Sequence, residues 1–302
     1  MEFLSRVKDY ILILRPVNLF IICAAQYFIQ YFIIVPDADN VTLSGILFPL
    51  FVLDTIIIAG TGYVINDITD QQTDRINKPA RMYIGNTITE KAGYIYYILL
   101  LLAGAVITVY IAYITNTMKH IWIYPAGICC MYLYSRYLKN TMLIGNIFVS
   151  LFIAGVIGIL GFAQLIQGNS LNTNLMTVIH AYMAFMFLLN LIREIIKDIE
   201  DLEGDLQAGI VTLPGKIGIT NTKNLAIIIT TLLTVILIWW VSSGNTLKQF
   251  TYSVFMLIGL IIPLILLAYK IYNAKVKQDF RNISLWIKLL LVNGLFSVIF
   301  IT

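Results

Sequence analysis

The chain has 302 residues, of which 59% are hydrophobic and 12% are charged. Such a composition cannot cover a folded core with a water-compatible surface, so it excludes an ordinary soluble globule and favours an outer surface in contact with lipid. The net charge of +4 is too small to indicate a nucleic-acid-binding protein, and we expect no nucleic-acid partner.

Apolar runs long enough to cross a bilayer recur along the whole chain. A membrane-spanning helix needs about 20 mostly apolar residues. Aromatic residues at the run edges and polar turn clusters between the runs are typical of such helices. The pattern predicts an all-α, polytopic membrane protein with one domain, 1–302, and about nine transmembrane helices. The predicted runs are 11–34, 45–66, 92–114, 120–137, 142–166, 174–197, 224–242, 250–272 and 284–301.

Lysine and arginine are concentrated in alternate connections between these runs. They are frequent at the amino-terminal end and after the second, fourth, sixth and eighth runs, and nearly absent from the other connections. The positive-inside rule then places the amino terminus in the cytoplasm and the carboxyl terminus outside. We therefore expect a multi-pass protein of the cytoplasmic (inner) membrane, with its active site facing the cytoplasm.

The first polar motif comes directly after the second apolar run. Asn66, Asp70 and Asp74 recur at every fourth residue, a spacing that stacks three oxygen-bearing side chains on one helix face. Carboxylates in this position favour a divalent metal, because hard cations such as Mg²⁺ bind carboxylate oxygens and bridge to substrate phosphates. The alternative is a helix end frayed into water, where the acids are only solvated.

A second acidic motif follows the sixth run. It contains Asp201 and Asp205, which are separated from Asp70 and Asp74 by the same interval. The repeat divides the chain into two related halves, about 1–140 and 141–302. If the two motifs face each other, they can hold two metal ions around one diphosphate in a cavity between the helices.

Both motifs begin long connections that contain further helical signals. Thr89-Glu90 before the third run and Thr220–Thr222 before the seventh run are typical helix starts. We expect these connections to form caps over the cytoplasmic mouth of the bundle, which would keep water from a reactive intermediate.

Cationic side chains near the motifs are candidates for binding a diphosphate. Arg193 and Lys197 share a helix face one turn before the second motif. For each cation, the alternative is an anchor that sets the membrane topology. The full set is Arg81, Arg136, Lys139, Arg193 and Lys197.

Together, these stretches resemble a known family. The first motif is similar to the NxxxDxxxD motif of the UbiA superfamily of intramembrane prenyltransferases, and Asp201 and Asp205 match its DxxxD motif. Further matching segments are Arg15-Pro16, Tyr134-Ser135, Leu138-Lys139, Gly145-Asn146, Thr212-Leu213-Pro214 and Gly218. The chain departs from the family at Met82, where many members have proline after the arginine, so the following turn is expected to differ.

The resemblance implies a Mg²⁺-dependent prenyltransferase with a definite set of site residues. It makes Tyr134 a catalytic residue beside the diphosphate or the carbocation, and Ser135 a substrate-binding residue. The expected catalytic aspartates are Asp70, Asp74, Asp201 and Asp205. The expected metal ligands are Asn66, Asp70, Asp74, Asp198, Asp201 and Asp205; Asn66, Arg81, Arg136, Lys139, Arg193 and Lys197 are expected to bind substrate.

The resemblance also bears on the acceptor. The segment 193–214 is most similar to the branch that makes ether lipids, which implies transfer of a geranylgeranyl group from its diphosphate to geranylgeranylglyceryl phosphate. An aromatic acceptor of quinone biosynthesis (homogentisate, 4-hydroxybenzoate or a naphthoate) is the alternative. An ion-coupled transporter is a further alternative, although its acids should lie near mid-bilayer. We expect membrane lipid around the protein and no obligate protein partner.

Three other polar residues lie within or beside apolar runs. Asp54 lies three turns before Asn66 on roughly the same side, and intramembrane acids are often functional. The alternative is a neutral carboxyl, or one paired with a hydroxyl or backbone group. For His120 and His180 a structural role is expected.

Overall fold

A computed structural model describes residues 2–37, 41–165, 173–243 and 249–300. All regular elements within these ranges are helical. We number the main helices in chain order as α1 Glu2–Ile13, α2 Pro16–Ile34, α3 Leu47–Thr69, α4 Gln71–Asn77, α5 Glu90–Ile114, α6 Ile123–Leu133, α7 Ile144–Leu165, α8 Thr173–Gln207, α9 Leu213–Ser242, α10 Phe250–Asn273 and α11 Lys277–Phe300.

Eight helices in the described ranges are long and apolar enough to cross a membrane, namely α2, α3, α5 and α7 to α11. The all-α, multi-pass prediction is therefore confirmed. The predicted run 120–137 is a shorter element, in which α6 is preceded by a 3₁₀ turn, Met118–Trp122, and followed by a π-helical turn, Tyr134–Leu138. A count of about nine spans stays a prediction.

Two of the predicted helix boundaries differ from the structure, and a third is confirmed. The first run, 11–34, is divided at Arg15, which has a left-handed φ of 54°, because Pro16 disfavours the α conformation in the residue before it. The start near Thr220 lies inside α9, which begins at Leu213 and is interrupted at Gly218 (φ 81°). The start at Thr89 is confirmed, since its side chain accepts a hydrogen bond from the Ala92 N–H at 3.2 Å.

Helix α8 lies at the centre of the bundle and packs against α7, α9 and α11. Its residues Leu189, Ile192, Ile195 and Ile196 are completely buried. Large apolar side chains, such as Val106 on α5, are exposed on the outside of the bundle. Such a surface is compatible with the hydrocarbon core of a bilayer.

The length of α8 decides where the second motif lies. Its 35 residues span about 52 Å at 1.5 Å per residue, whereas the hydrocarbon core of a bilayer is about 30 Å thick. The predicted run 174–197 was too short, because the helix continues through the polar residues that follow. The second motif is therefore part of a continuous helix and projects from the end of the bundle.

Candidate active site

The first acid motif (Asn66, Asp70 and Asp74) does not lie on one continuous helix. Helix α3 ends at Thr69, Asp70 has φ −95° and ψ 5°, and α4 begins at the next residue. The hydroxyl of Thr69 donates to the Asn66 carbonyl at 2.9 Å, a side-chain bond that competes with the regular helix pattern. The expectation of three side chains on one helix face is corrected here, because the chain bends at the middle residue of the motif.

Asn66 is buried and connects the first motif to the π-helical turn after α6. The hydroxyl of Ser135 donates to Asn66 Oδ1 at 2.5 Å. Lys139, just beyond the same turn, forms an ion pair with Asp70. Both partners were predicted site residues, and the structure places them directly on the first motif.

Helix α4 brings the two acid motifs together. Lys78 Nζ lies 2.9 Å from Asp201 Oδ2 and 3.9 Å from Asp74 Oδ1, so one ammonium group contacts both motifs. Asn77 Nδ2 donates to Asp205 Oδ1 at 3.3 Å, and Asn77 Oδ1 accepts from the Gly204 N–H at 3.2 Å. The non-helical φ and ψ of Asp70 separate α3 from α4, and α4 packs against α8.

The close approach of α4 to α8 depends on a glycine. A Cβ atom on Gly204 would lie 2.3 Å from Asn77 Oδ1, far inside van der Waals contact. A larger residue here would displace the Asn77 amide and separate the two motifs.

Lys78 and Asn77 follow the first motif directly in the chain, but sequence reasoning gave them no role. The spacing of Asp74 and Lys78, one helical turn apart, was the available signal. Burial lowers the pKa of Lys78, but the adjacent Asp201 and Asp74 carboxylates outweigh burial and raise the pKa above its ordinary value. Lys78 is therefore fully cationic at neutral pH.

The remaining acids of α8 have different partners. Asp198 accepts a hydrogen bond from Asn146 Nδ2 at 2.7 Å. Glu194 pairs with Arg193 and, at 3.3 Å, with Lys197 Nζ. Sequence reasoning gave Glu194 no role, although it neutralises part of the charge of two predicted phosphate-binding residues.

The side chains of the two motifs are of the chemical type that binds a divalent metal, but they do not converge on one point in this structure. Within the described ranges, no three His, Cys, Asp or Glu side chains converge into a metal-binding group. Asp201 Oδ1, however, is buried without a hydrogen-bond partner. An orphaned carboxylate oxygen amid further carboxylates is a suitable ligand for Mg²⁺, with Lys78 and Lys139 now neutralising the acids that a metal would bind.

A cavity, the central cavity, opens between α2, α3, α6, α7, α8 and α11. One end is polar and carries both predicted residues, such as Tyr134, and residues that were not predicted. The polar residues that line it are Arg15, Asn18, Tyr63, Asn66, Tyr134, Asn190, Arg193, Glu194, Lys197 and Lys288. The ring of Tyr134 is stacked on Phe148, with 6.0 Å between centroids.

The other walls of the central cavity are apolar and continue into a second space. Ala59, Phe152 and Val156 line the central cavity and also a neighbouring apolar cavity, the side cavity, between α3, α6 and α7. The joined spaces therefore present polar groups at one end and apolar side chains along the rest of their walls.

Two residues that line the central cavity were given no role in binding by sequence reasoning. Arg15 donates to Asp67 at 2.7 Å and lies 4.7 Å from the centre of the Tyr63 ring. Lys288 lies in an apolar run, and a lysine within a predicted span was the signal that could have identified it.

Other candidates lie outside the cavity. Arg136 is exposed and is not among the residues that line the central or side cavity. The side chain of Arg81 lies outside the described part of the structure. Asp54 accepts a hydrogen bond from the Thr108 hydroxyl at 2.8 Å, and His120 Nδ1 lies 3.0 Å from the Thr115 hydroxyl, so both are paired within the bundle.

The fold and the site define an integral membrane protein with a cavity that is polar at one end and apolar along its other walls. The chain matches the model of the UbiA prenyltransferase family over residues 28–289. It belongs to this family and is an integral-membrane prenyltransferase.

Similar proteins extend over most of the chain. Digeranylgeranylglyceryl phosphate synthase from Korarchaeum cryptofilum is 32% identical over 79% of each chain, and the enzyme of the same name from Methanosphaera stadtmanae is 31% identical over 93% of this chain and 94% of its own. A solved structure of a UbiA homologue from Archaeoglobus fulgidus bound to GPP and Mg²⁺ has a TM-score of 0.61 at 16% identity and covers 96% of this chain and 99% of that one. At this identity, the structural likeness shows the shared fold.

Proposed function

We propose that this prenyltransferase transfers a geranylgeranyl group from its diphosphate to a hydroxyl of geranylgeranylglyceryl phosphate. The observation that carries the proposal is the central cavity, which joins a cationic polar end, lined by Asn66 of the first motif, to apolar walls that continue into the side cavity. The names of the similar enzymes from Korarchaeum cryptofilum and Methanosphaera stadtmanae support the lipid acceptor.

The acid motifs are the proposed site for two Mg²⁺ ions. When bound, Mg²⁺ neutralises the diphosphate and stabilises it as a leaving group. The residues that would hold the metal are Asn66, Asp70, Asp74, Asp198, Asp201 and Asp205. The buried, unpartnered Asp201 Oδ1 supports this assignment.

The reaction breaks the bond between the allylic carbon and the diphosphate oxygen, and the electron pair remains on the diphosphate. Lys78 and Lys139, which now neutralise the acids, are free to contact diphosphate oxygens once other cations bind those acids. The face of the Tyr134 ring is suited to the positive charge that develops on the allylic carbon. The acceptor oxygen forms the new bond to that carbon, and its proton passes to solvent.

The orientation of the site in the membrane is part of the proposal. Charge in alternate connections favours a cytoplasmic location for α4 and the end of α8, where soluble Mg²⁺ and a charged substrate are available. Labelling of single cysteines from outside the cell should reach 41–44 and miss 206–212. The reverse pattern would contradict the orientation without affecting the chemistry.

Purified protein should be incubated with Mg²⁺, geranylgeranyl diphosphate and a panel of acceptors, and the products identified by mass. We expect the diether product from geranylgeranylglyceryl phosphate, with little product from homogentisate or 4-hydroxybenzoate. Efficient prenylation of an aromatic acceptor alone would assign the chain to the quinone branch. Full activity in excess EDTA would overturn the metal assignment.

A further inference from the structure

Lys288 is a cation that the proposed diphosphate chemistry does not use. It lies on α11, about 17 Å along the axis from the first residue of the helix, and it lines the central cavity. Within the described ranges, no hydrogen bond or ion pair involves Lys288. An unpaired lysine inside a membrane helix is costly and is rarely retained without an anionic partner.

The charges around Lys288 leave an excess of positive charge. Arg193, Lys197 and Glu194 line the same end of the cavity, and both cations pair with the single Glu194 carboxylate. Arg193 Nε is buried without an acceptor. Arg15, a further neighbour, is already neutralised by Asp67. We call Arg193, Lys197 and Lys288 the basic end of the cavity; together with Glu194 it carries two positive charges in excess.

The basic end differs from the region of the acid motifs. There, Lys78 and Lys139 are matched by the carboxylates of Asp201 and Asp70, and none of these four residues is among those lining the central cavity. The protein therefore offers two anion-binding regions, one that requires added cations to bind a diphosphate and one that can bind a phosphate directly.

On the basis of the proposed function, we propose that the basic end binds the phosphate of the acceptor lipid, with Lys288 as its principal contact. A phosphate monoester carries a charge of about −1.5 to −2 at neutral pH, which matches the excess of two positive charges. Leu291, one turn after Lys288, lines the same cavity together with Ile21 and Met186. The hydrocarbon chain of a phosphorylated lipid thus has apolar contacts directly beside its charged head.

The replacement Lys288→Met removes the charge and keeps most of the side-chain volume. A charge-assisted hydrogen bond contributes about 1.5–3 kcal/mol, so KM for the phosphorylated acceptor should rise roughly 10- to 150-fold. KM for geranylgeranyl diphosphate should not change. With geranylgeranylglycerol, which lacks the phosphate, the variant and the wild type should have the same KM, and Lys288→Arg should restore most of the affinity for the phosphorylated acceptor.

Lys277→Met is the matched control. Lys277 is on the same helix but exposed at its first residue, outside the cavity, so both KM values should remain those of the wild type. An equal rise in KM for the diphosphate in Lys288→Met, or an unchanged KM for the phosphorylated acceptor, would overturn the assignment.

A binding measurement separates this inference from the proposed function. Glycerol phosphate, titrated calorimetrically into the detergent-solubilised protein without Mg²⁺, should bind the wild type and lose at least tenfold in affinity in Lys288→Met, whereas pyrophosphate with Mg²⁺ should bind both equally. If glycerol phosphate fails to bind the wild type, the inference is wrong. If it binds as expected but no phosphorylated lipid is prenylated, the site stands and the proposed acceptor is wrong.

Should Lys288→Met fail to fold, inhibition of the wild type decides the question. Glycerol phosphate should compete with the phosphorylated acceptor and should not compete with geranylgeranyl diphosphate. Competition with the diphosphate instead would assign the basic end to the diphosphate and contradict the inference.

Discussion

The two acid motifs have the same spacing, but their surroundings differ. In the first motif, Asp70 is paired with Lys139 and Asp74 lies 3.9 Å from Lys78, so cations from the same half of the chain neutralise it. In the second motif, Asp205 accepts a hydrogen bond from the neutral amide of Asn77, and Asp201 forms an ion pair with Lys78 from the other half of the chain. Each motif therefore has one carboxylate directly paired with a lysine, and the second motif receives that lysine from the other half of the chain.

The backbones of the two motifs also differ. The first bends at Asp70, whereas the second lies on the unbroken helix α8. A continuous helix fixes its side chains relative to one another, while a short helix such as α4 can shift as a unit. We infer that the second motif is the fixed side of the metal site and that the first motif adjusts to it.

The largest effect is expected for Asp201→Asn, which removes the charge of the carboxylate with the unpartnered buried oxygen. The turnover number should fall at least about 1000-fold, or about 4 kcal/mol in activation free energy, because a metal ligand of the leaving group is lost. Glu203→Gln is the matched control, since Glu203 is exposed on the same helix between the two motif aspartates, and it should retain wild-type turnover. Near-normal rates for Asp201→Asn would remove the second motif from the metal site.

The next effect concerns the cation of the first motif. Lys139→Met should lower kcat/KM for the prenyl diphosphate by about 100-fold, because a charge that can contact the diphosphate is lost beside Asp70. Arg136→Met, a change three residues earlier at an exposed side chain, should change kcat/KM less than about twofold. The reverse order of effects would restore the sequence-based role of Arg136 and contradict the geometry of the turn.

These residues show what the sequence can predict. Apolar runs predicted a multi-pass helical protein, and matched acid spacing predicted that the two motifs face each other. Lys139 was a candidate because it lies near the motifs, and Ser135 because of the family resemblance; the structure pairs them with Asp70 and Asn66. Arg136 and Lys139 were both chosen as cations near the motifs, but Arg136 is exposed. The π-helical turn Tyr134–Leu138 rotates successive side chains away from a regular α-helical register. Sequence periodicity does not encode that local change of pitch.

Long-range contacts explain the other failures. The role of Asn77 depends on its contact with Gly204 across the two halves, and the role of Lys288 depends on how α11 packs against α8. The bend at Asp70 was missed because each residue nearby is compatible with a helix. These features follow from tertiary packing, which spacing along one chain does not reveal.

A smaller effect is expected for Lys78→Met, which tests whether one ammonium group holds the two motifs together. Without divalent metal, Asp74 and Asp201 would face each other with no cation between them, so Tm in detergent should fall by roughly 2–6 °C. Mg²⁺ should raise the Tm of the variant more than that of the wild type, since it no longer competes with Lys78 for Asp201. An identical Mg²⁺ response in both proteins would show that Lys78 and the metal do not share this carboxylate.

The smallest effect concerns the contact that positions the first motif against the second. Asn77→Ala removes two hydrogen bonds, to Asp205 and from the Gly204 N–H, and should destabilise the protein by about 1–2 kcal/mol and lower turnover several-fold. Gly204→Ala should have a similar cost for a different reason, since its Cβ displaces the Asn77 amide.

A double-mutant cycle sharpens this last prediction. If Gly204→Ala destabilises the protein through its clash with Asn77, the double variant should be little less stable than Asn77→Ala alone. The changes in the free energy of unfolding of the two single variants should then be strongly non-additive. Additive costs would mean that the glycine is needed for another reason, such as the packing of α8 itself. Because the Asn77 amide occupies the space that a side chain on Gly204 would fill, the cycle measures directly whether this contact holds α4 on α8.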